Sequence, residues 1–355
     1  MQPIQNLSYL VYFQNSLEHL ATFLLNKQYS QVFVLTDTNT TEYCLPTLRE
    51  HIPENIRYDL IEIDAGEENK NIDFCIGIWK TLLDFGADRK ALLINLGGGV
   101  VTDMGAFAAS TYKRGIDFIQ IPTTLLAQVD ASVGGKTGID LDTVKNIIGT
   151  FAQPQAVYID TNFLTTLDTR QIRSGFAEII KHGLIFDASY FQKVQKINWE
   201  AVPEELIYRS IQIKNEVVTQ DPTEQGLRKI LNFGHTIGHA IESYFLDKRD
   251  LMLLHGEAVA LGMISEAYLS NKLTGLSIAD LETIVSYISS IYPIQAVPQE
   301  AYTELVTYMK NDKKNNLTQI SCSLLRTIGV CGYDSFVSEE DIIESLNFLI
   351  TVKNR

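Results

Sequence analysis

Surplus positive charge is the first thing this 355-residue chain lacks: 29 Lys and Arg stand against 43 Asp and Glu, a formal net charge of −14. A phosphate-backbone partner needs clustered surplus cations to displace counterions, so nucleic acid is set aside. Long apolar runs are missing too. No stretch approaches the roughly 20 uninterrupted apolar residues of a membrane span, and the opening MQPIQNLSYLVYFQNSLEHL carries no basic leader. A cytoplasmic address without membrane attachment is the expectation. Cysteine is scarce, and Cys44, Cys75, Cys322 and Cys331 show no CxxC spacing, which argues against a zinc ribbon or a disulfide framework. Internal repeats, low-complexity tracts and long Pro, Gly or Ser linkers are absent as well.

What remains is an ordinary globular composition, 45% hydrophobic and 20% charged, long enough for two or three domains. The first half alternates β-rich runs at 31–37, 58–64, 91–97, 118–124 and 156–160 with helical stretches. That rhythm predicts an α/β domain over 1–162, a parallel sheet with crossover helices. Near-continuous apolar runs are what strands covered on both faces require, and ligands gather at the carboxyl ends of such strands. From 163 to 355 the strand signals thin out, and helical apolar spacing over 174–186, 204–220, 228–246 and 255–272 predicts a mostly α-helical second domain. SEEDIIESLNFL near the end predicts a capped amphipathic helix. A tight junction between the domains would place the site in a cleft there.

Several familiar motifs fail narrowly. Gly97-Gly98-Gly99 follows a strand and precedes a helical pattern, suiting close approach of backbone N–H groups to a pyrophosphate, yet GxGxxG would need glycine at Thr102. Asp103 in that helix could contact a nicotinamide or ribose, or only favour the helix start. GGKT suggests a phosphate loop, but its first glycine would have to occupy Asp130. Lys136, Lys145 and Asn146 survive as candidates for holding an anionic substrate, with solvated surface lysines as the alternative. HExxH is absent, which removes the zinc peptidases.

Histidine carries the strongest signal. His235 and His239 stand four apart on one predicted helix face, and His255 follows, so three of only six histidines fall close together. With Glu178 they offer the carboxylate and imidazoles of a catalytic zinc site that keeps one position open. Glu178 and Lys181 share a face of a largely apolar helix; an exposed pair there would contribute only a few tenths of a kcal/mol, whereas a buried pair would be costly without a role.

The ordered blocks GGGVVTD, RGIDFIQIPTTLLAQVDASVGGKTGID, KNIIGTF, SGFAEIIKHGLI, LRKILNFGHTIGHAIE and LHGEAVALGM resemble the 3-dehydroquinate synthase family, across roughly residues 30–330. The resemblance implies a Rossmann-like NAD-binding domain and a helical domain for zinc or cobalt and substrate, in a homodimer. Its metal ligands fall on Glu178, His235 and His255, while His239 faces the substrate. NAD contacts fall on Asp37, Glu67, Lys70, Gly98, Gly99, Asp103, Thr123, Thr124, Lys145 and Thr166, with Asp130 between cofactor and substrate. Phosphate falls to Lys136 and Asn146, helped by Arg114 from the other subunit, and the substrate carboxylate to Lys214 and Arg228. Asn232, Lys181 and Glu224 complete the polar shell, and either Lys313 or Lys314 approaches the phosphate.

The implied activity is a carbon–oxygen lyase step of the shikimate pathway toward chorismate and the aromatic amino acids. It converts 3-deoxy-D-arabino-heptulosonate 7-phosphate to 3-dehydroquinate and phosphate by transient oxidation, elimination, reduction and aldol closure. Sister sugar-phosphate cyclases and metal-dependent polyol dehydrogenases of the glycerol dehydrogenase type are the rival readings, and a nucleotide-binding regulator without chemistry is a third. Lys214 and Arg228 suit a carboxylate that the sister substrates lack, and a polyol dehydrogenase needs no phosphate cradle.

Overall fold

The computed structural model describes all residues except 142, 143, 247, 249, 250, 296, 312–319, 354 and 355. The chain divides into two compact units, Met1–Asp168 and Thr169–Arg355. Among the described residues no helix is long and apolar enough to cross a membrane.

The first unit opens with β1 (Ile4–Gln5), β2 (Leu10–Tyr12), α1 (Ser16–Asn26), β3 (Val32–Asp37), α2 (Thr38–Tyr43), α3 (Leu45–His51) and β4 (Asp59–Ile63). It continues through α4 (Ile72–Asp84), β5 (Leu92–Gly97), α5 (Gly99–Thr111), β6 (Asp117–Pro122), β7 (Lys136–Leu141), β8 (Val144–Phe151) and β9 (Ala156–Tyr158). One 7-stranded sheet runs in the order β1-β2-β9-β6-β5-β3-β4. Every neighbouring pair is parallel except β1 with β2, giving a Rossmann-like architecture.

Strand alternation explains why β3 and β5 are apolar along most of their length. Phe33, Leu35 and Leu93 face a core that includes Val101 and Met104 of α5, whereas Val32, Val34, Leu92 and Ile94 face Leu20, Leu24 and Leu48 of α1 and α3. Helices on both faces leave neither set exposed, and each fully buried Leu or Phe contributes roughly 1.5–3 kcal/mol. β7 and β8 form a separate antiparallel hairpin that lies outside the five predicted strand runs. It is tied to α5 by Ser110 Oγ and Thr150 Oγ1 at 2.7 Å.

The second unit contains α6 (Thr169–Phe186), α7 (Ala188–Val194), α8 (Glu204–Gln220), α9 (His235–Leu246), α10 (His255–Leu273), α11 (Ile278–Ile291), α12 (Tyr302–Asn311), β10 (Ile320–Thr327), β11 (Val330–Val337) and α13 (Glu339–Lys353). The β10–β11 hairpin was not expected in a mostly helical region. The expected single helix over 228–246 is corrected: a 3-10 turn over Leu227–Asn232 comes first, Gly234 takes φ 81°, and α9 starts only at His235. A left-handed residue cannot continue a right-handed helix, so the apolar periodicity crosses a break it does not report. At the other end Ser338 and Asp341 cap α13 reciprocally, Oγ accepting from Asp341 N at 3.1 Å.

α9 and α10 approach at Gly262, where an added Cβ would lie 1.9 Å from Gly234 O and 2.7 Å from Gly238 N. No rotamer relieves a Cβ clash with backbone. Gly262→Ala is therefore expected to destabilise the protein by at least about 1–3 kcal/mol, read as a lower urea midpoint, and an unchanged midpoint would count against this packing.

Candidate functional site

Three helices of the second unit bring one carboxylate and three imidazoles together. Glu178, fully buried on α6, points Oε1 at His235 Nε2, 3.5 Å away, and at His255 Nε2, 3.7 Å away. His239 stands one turn along α9, its ring 5.1 Å from that of His235 and 5.6 Å from that of His255. The ligand atoms of the three histidines all lie within 4.8 Å of one another.

These spacings suit a divalent cation. Bonds of about 2.0–2.2 Å arranged tetrahedrally put ligand atoms about 3.4 Å apart, close to both Glu178–imidazole distances. The outer nitrogens are also committed in the sense a metal requires. His235 Nδ1 lies 3.2 Å from Phe233 O, which can only accept, and His255 Nδ1 lies 3.1 Å from Glu242 Oε2. Each partner draws the proton to Nδ1 and leaves the Nε2 lone pair for the ion. The second oxygen of Glu178 is paired with the buried Lys181 ammonium, so Oε1 alone faces the imidazoles. Burial by itself would lower the His255 pKa; the Glu242 and Glu178 carboxylates outweigh it and raise it to about 10, so a cation that takes Nε2 displaces a proton.

The approach to α9 holds the other polar candidates of this unit. α8 carries Lys214, buried, and has Asp221 as its C-cap. The Asp221 carboxylate accepts from Gln225 N at 3.0 Å through Oδ1, and from Gly226 N at 2.7 Å and Arg228 N at 3.0 Å through Oδ2. Desolvation pushes its pKa up, but these three N–H donors hold it below the ordinary aspartate value. Within the loop Glu224 takes φ 61° and accepts from Asn232 Nδ2 at 2.8 Å, while Arg228, buried, donates from Nη1 to Pro222 O at 2.6 Å. Lys229 pairs with Asp334 of β11 at 2.8 Å, anchoring the 3-10 turn on the hairpin.

The first unit assembles its own set around the carboxyl end of β5. α5 begins at Gly99 with Gly98 as its N-cap, so free N–H groups face the strand end. Lys70, buried, donates to Asp103 Oδ2 and Asn146 Oδ1, both at 2.7 Å. Lys145 pairs with Glu67 at 2.7 Å and lies 3.6 Å from Asp140, which accepts from Asn146 N at 2.7 Å. Burial alone would depress the Lys70 pKa, but Asp103, Glu67 and Asp140 together raise it. Thr123 donates its N–H to Gly97 O at 3.0 Å, and Thr124 Oγ1 accepts from Ala127 N at 3.2 Å, opening the π-helical turn that contains Asp130. Asp37 caps α2 through Thr40 N at 2.8 Å. Lys136 starts β7 half-buried; Arg114, with φ 69°, and Thr166 are exposed outside the Lys70 network. Lys313 and Lys314 lie outside the described residues.

Residues 60–174 match the family model described as 3-dehydroquinate synthase N-terminal, and residues 175–315 the one described as 3-dehydroquinate synthase C-terminal. The chain belongs to the 3-dehydroquinate synthase family. The 3-dehydroquinate synthase of Parabacteroides distasonis is 46% identical over 334 residues, covering 93% of this chain and 94% of that protein. Among solved structures, 2-deoxy-scyllo-inosose synthase complexed with carbaglucose-6-phosphate, NAD+ and Co2+ superposes with a TM-score of 0.85 at 23% identity, over 98% of this chain and 99% of that one. The 2-epi-5-epi-valiolone synthase of Streptomyces hygroscopicus subsp. jinggangensis, with NAD+ and Zn2+ bound, gives 0.81 at 26% identity, covering 99% of each chain. The first of these shares the fold.

Three carboxylates of this family member escaped the sequence reading. Glu242, Glu266 and Asp221 hold up the groups singled out above, yet glutamate on a helix is too common to stand out. Glu266 had one available signal: it interrupts the apolar run of LHGEAVALGMISEAY, and a buried charge needs a reason.

Two results are expected. His239→Ala keeps stoichiometric metal after dialysis, whereas Glu178→Gln and His235→Ala lose it, by elemental analysis; loss in His239→Ala alone would overturn the ligand set. Lys70→Met leaves the Asp103 carboxylate partly buried without its ammonium and destabilises the protein by about 3 kcal/mol, measured by denaturant unfolding.

Proposed function

We propose that the chain converts 3-deoxy-D-arabino-heptulosonate 7-phosphate to 3-dehydroquinate and phosphate, with NAD as a catalytic carrier and zinc or cobalt as the metal. The observation that carries this reading is the buried Glu178 oxygen aimed at two Nε2 atoms, in the same unit as the buried cations Lys214 and Arg228. When bound, NAD accepts and returns one hydride and the metal stabilises developing oxygen charge, so phosphate is eliminated with no net redox change.

The chain's own residues supply binding and orientation. Glu178, His235 and His255 would hold the metal, with Lys181 balancing the second oxygen of Glu178. Gly98 and Gly99, at the start of α5, would offer N–H groups to the pyrophosphate. Asp37, Glu67, Lys70, Asp103, Thr123, Thr124, Lys145 and Thr166 would contact the rest of the dinucleotide, with Asp130 next to both ligands. Lys136 and Asn146 would take the phosphate, joined by Arg114 in a homodimer. Lys214 and Arg228 would take the carboxylate, and Asn232, Glu224 and His239 the ring hydroxyls. Aldol closure then depends on orientation more than on a dedicated base.

A sister cyclase would share NAD, metal and the early steps, but two buried cations suit a carboxylate that its substrate lacks. The deciding assay follows phosphate release from the heptulosonate phosphate with catalytic NAD, with and without chelator, while absorbance at the NADH band is recorded. Chelator-sensitive release without NADH accumulation is expected. Stoichiometric NADH would point to a polyol dehydrogenase, and no phosphate would return the question to the sister cyclases.

A further inference from the structure

Between α8 and α9 the chain must turn while delivering Glu224, Arg228 and Asn232, and one side chain organises that turn. Asp221 receives three backbone N–H groups at 2.7–3.0 Å, from positions four, five and seven residues ahead. A local Asx turn satisfies one or two; reaching Arg228 N pulls the loop into a ring closed on a single carboxylate. The ring holds Glu224 at φ 61°, a conformation unfavourable for a residue with a Cβ. The Pro222 carbonyl, next to Asp221, meets Arg228 Nη1 at 2.6 Å, so the guanidinium direction is set from the same point. Glu224 in turn holds Asn232 at 2.8 Å.

We propose that Asp221 is a positioning residue for recognition of the substrate carboxylate, acting through the Arg228 backbone and the Pro222 carbonyl without touching substrate. The inference rests on the function proposed above, in which Arg228 binds that carboxylate. Oδ1 accepts from Gln225 N, whereas Oδ2 accepts from both Gly226 N and Arg228 N, so an asparagine can keep either set but not both. The carboxamide presents one acceptor and one donor where the loop offers three donors.

The test compares wild type with Asp221→Ala and Asp221→Asn on two ligands. One is the heptulosonate phosphate; the other is a heptulose 7-phosphate without the carboxylate, used as a competitive inhibitor. A misdirected Arg–carboxylate contact weakens ground-state binding more than the chemical step. Asp221→Ala is expected to raise KM for the heptulosonate phosphate about tenfold with kcat within about twofold, and to leave the inhibition constant of the carboxylate-free ligand unchanged. Asp221→Asn should fall between. Equal weakening of both ligands, or loss of metal in Asp221→Ala, would assign Asp221 a purely structural role and overturn the proposal, as would a wild-type KM. If wild type releases phosphate from neither sugar, the function proposed above has failed and this inference falls with it.

Discussion

Two helix N-termini converge on one point in the second unit, and each begins with a histidine: His235 opens α9, His255 opens α10, and their rings lie 5.3 Å apart. Each terminus carries roughly half a positive charge, an unfavourable setting for a dication. Carboxylates resolve the conflict. Glu266, fully buried on α10, accepts from Gly234 N at 2.7 Å and Ile237 N at 3.2 Å, neutralising the start of α9. Glu257 accepts from Leu254 N at 2.9 Å at the start of α10, and its remaining charge is shared with Arg170 and Arg173. Glu178 and Glu242 face the imidazoles directly. The geometry of this Glu/His cluster thus depends on where two helices begin, and buried acids fix both beginnings.

That requirement explains the close packing. A cluster of four buried glutamates repels itself unless every oxygen finds a donor, and donors at helix ends are available only if the helices approach closely. Gly262 lets α10 reach the Gly234 and Gly238 backbone, and Gly256 does the same against α6, where an added Cβ would lie 1.8 Å from Ser174 O. Glu266 can reach two N–H groups at the start of α9, those of Gly234 and Ile237, because no side chain separates the backbones at Gly262. Electrostatics and sterics here are one constraint seen from two sides.

How much of this a reader could extract from sequence depended on how local the cause is. The strands at 32–37 and 92–97 announce themselves because burial on both faces makes them near-continuously apolar. The β7–β8 hairpin does not, since KTGID and VKNIIGTF mix charge with glycine and their partner face is α5. Periodicity over 228–246 is real but runs through Gly234, so the start of α9 was hidden, and with it the reason His235 differs from His239: it stands in the first turn, beside Glu178. Spacing alone paired the two histidines; the family resemblance separated them. Histidines could be singled out by their rarity, six in the chain. Glu242, Glu266 and Asp221 could not, because their roles lie in which backbone or imidazole they meet after folding.

The same logic orders the stretch from α8 to α10. Lys214, the Asp221 ring, Glu224, Arg228, Asn232, His235, His239 and His255 follow one another along the chain, so an error at one point shifts everything after it. The chain interrupts that propagation with carboxylate anchors: Asp221 resets the path before the 3-10 turn, Asp334 holds the turn through Lys229, and Glu266 resets it again at α9. Each anchor binds backbone or a side chain on a neighbouring element. The polar groups upstream and the imidazoles downstream are therefore positioned independently, and substitutions in the loop should leave the imidazoles in place. Additivity between the Asp221 and His235 variants follows, since Asp221 binds backbone N–H groups of its own loop while His235 meets Glu178 and the Phe233 carbonyl, and the two segments are pinned by separate charges. A double variant whose loss in stability departs from the sum of the singles by more than about 0.5 kcal/mol would mean that the anchors do not insulate one segment from the other.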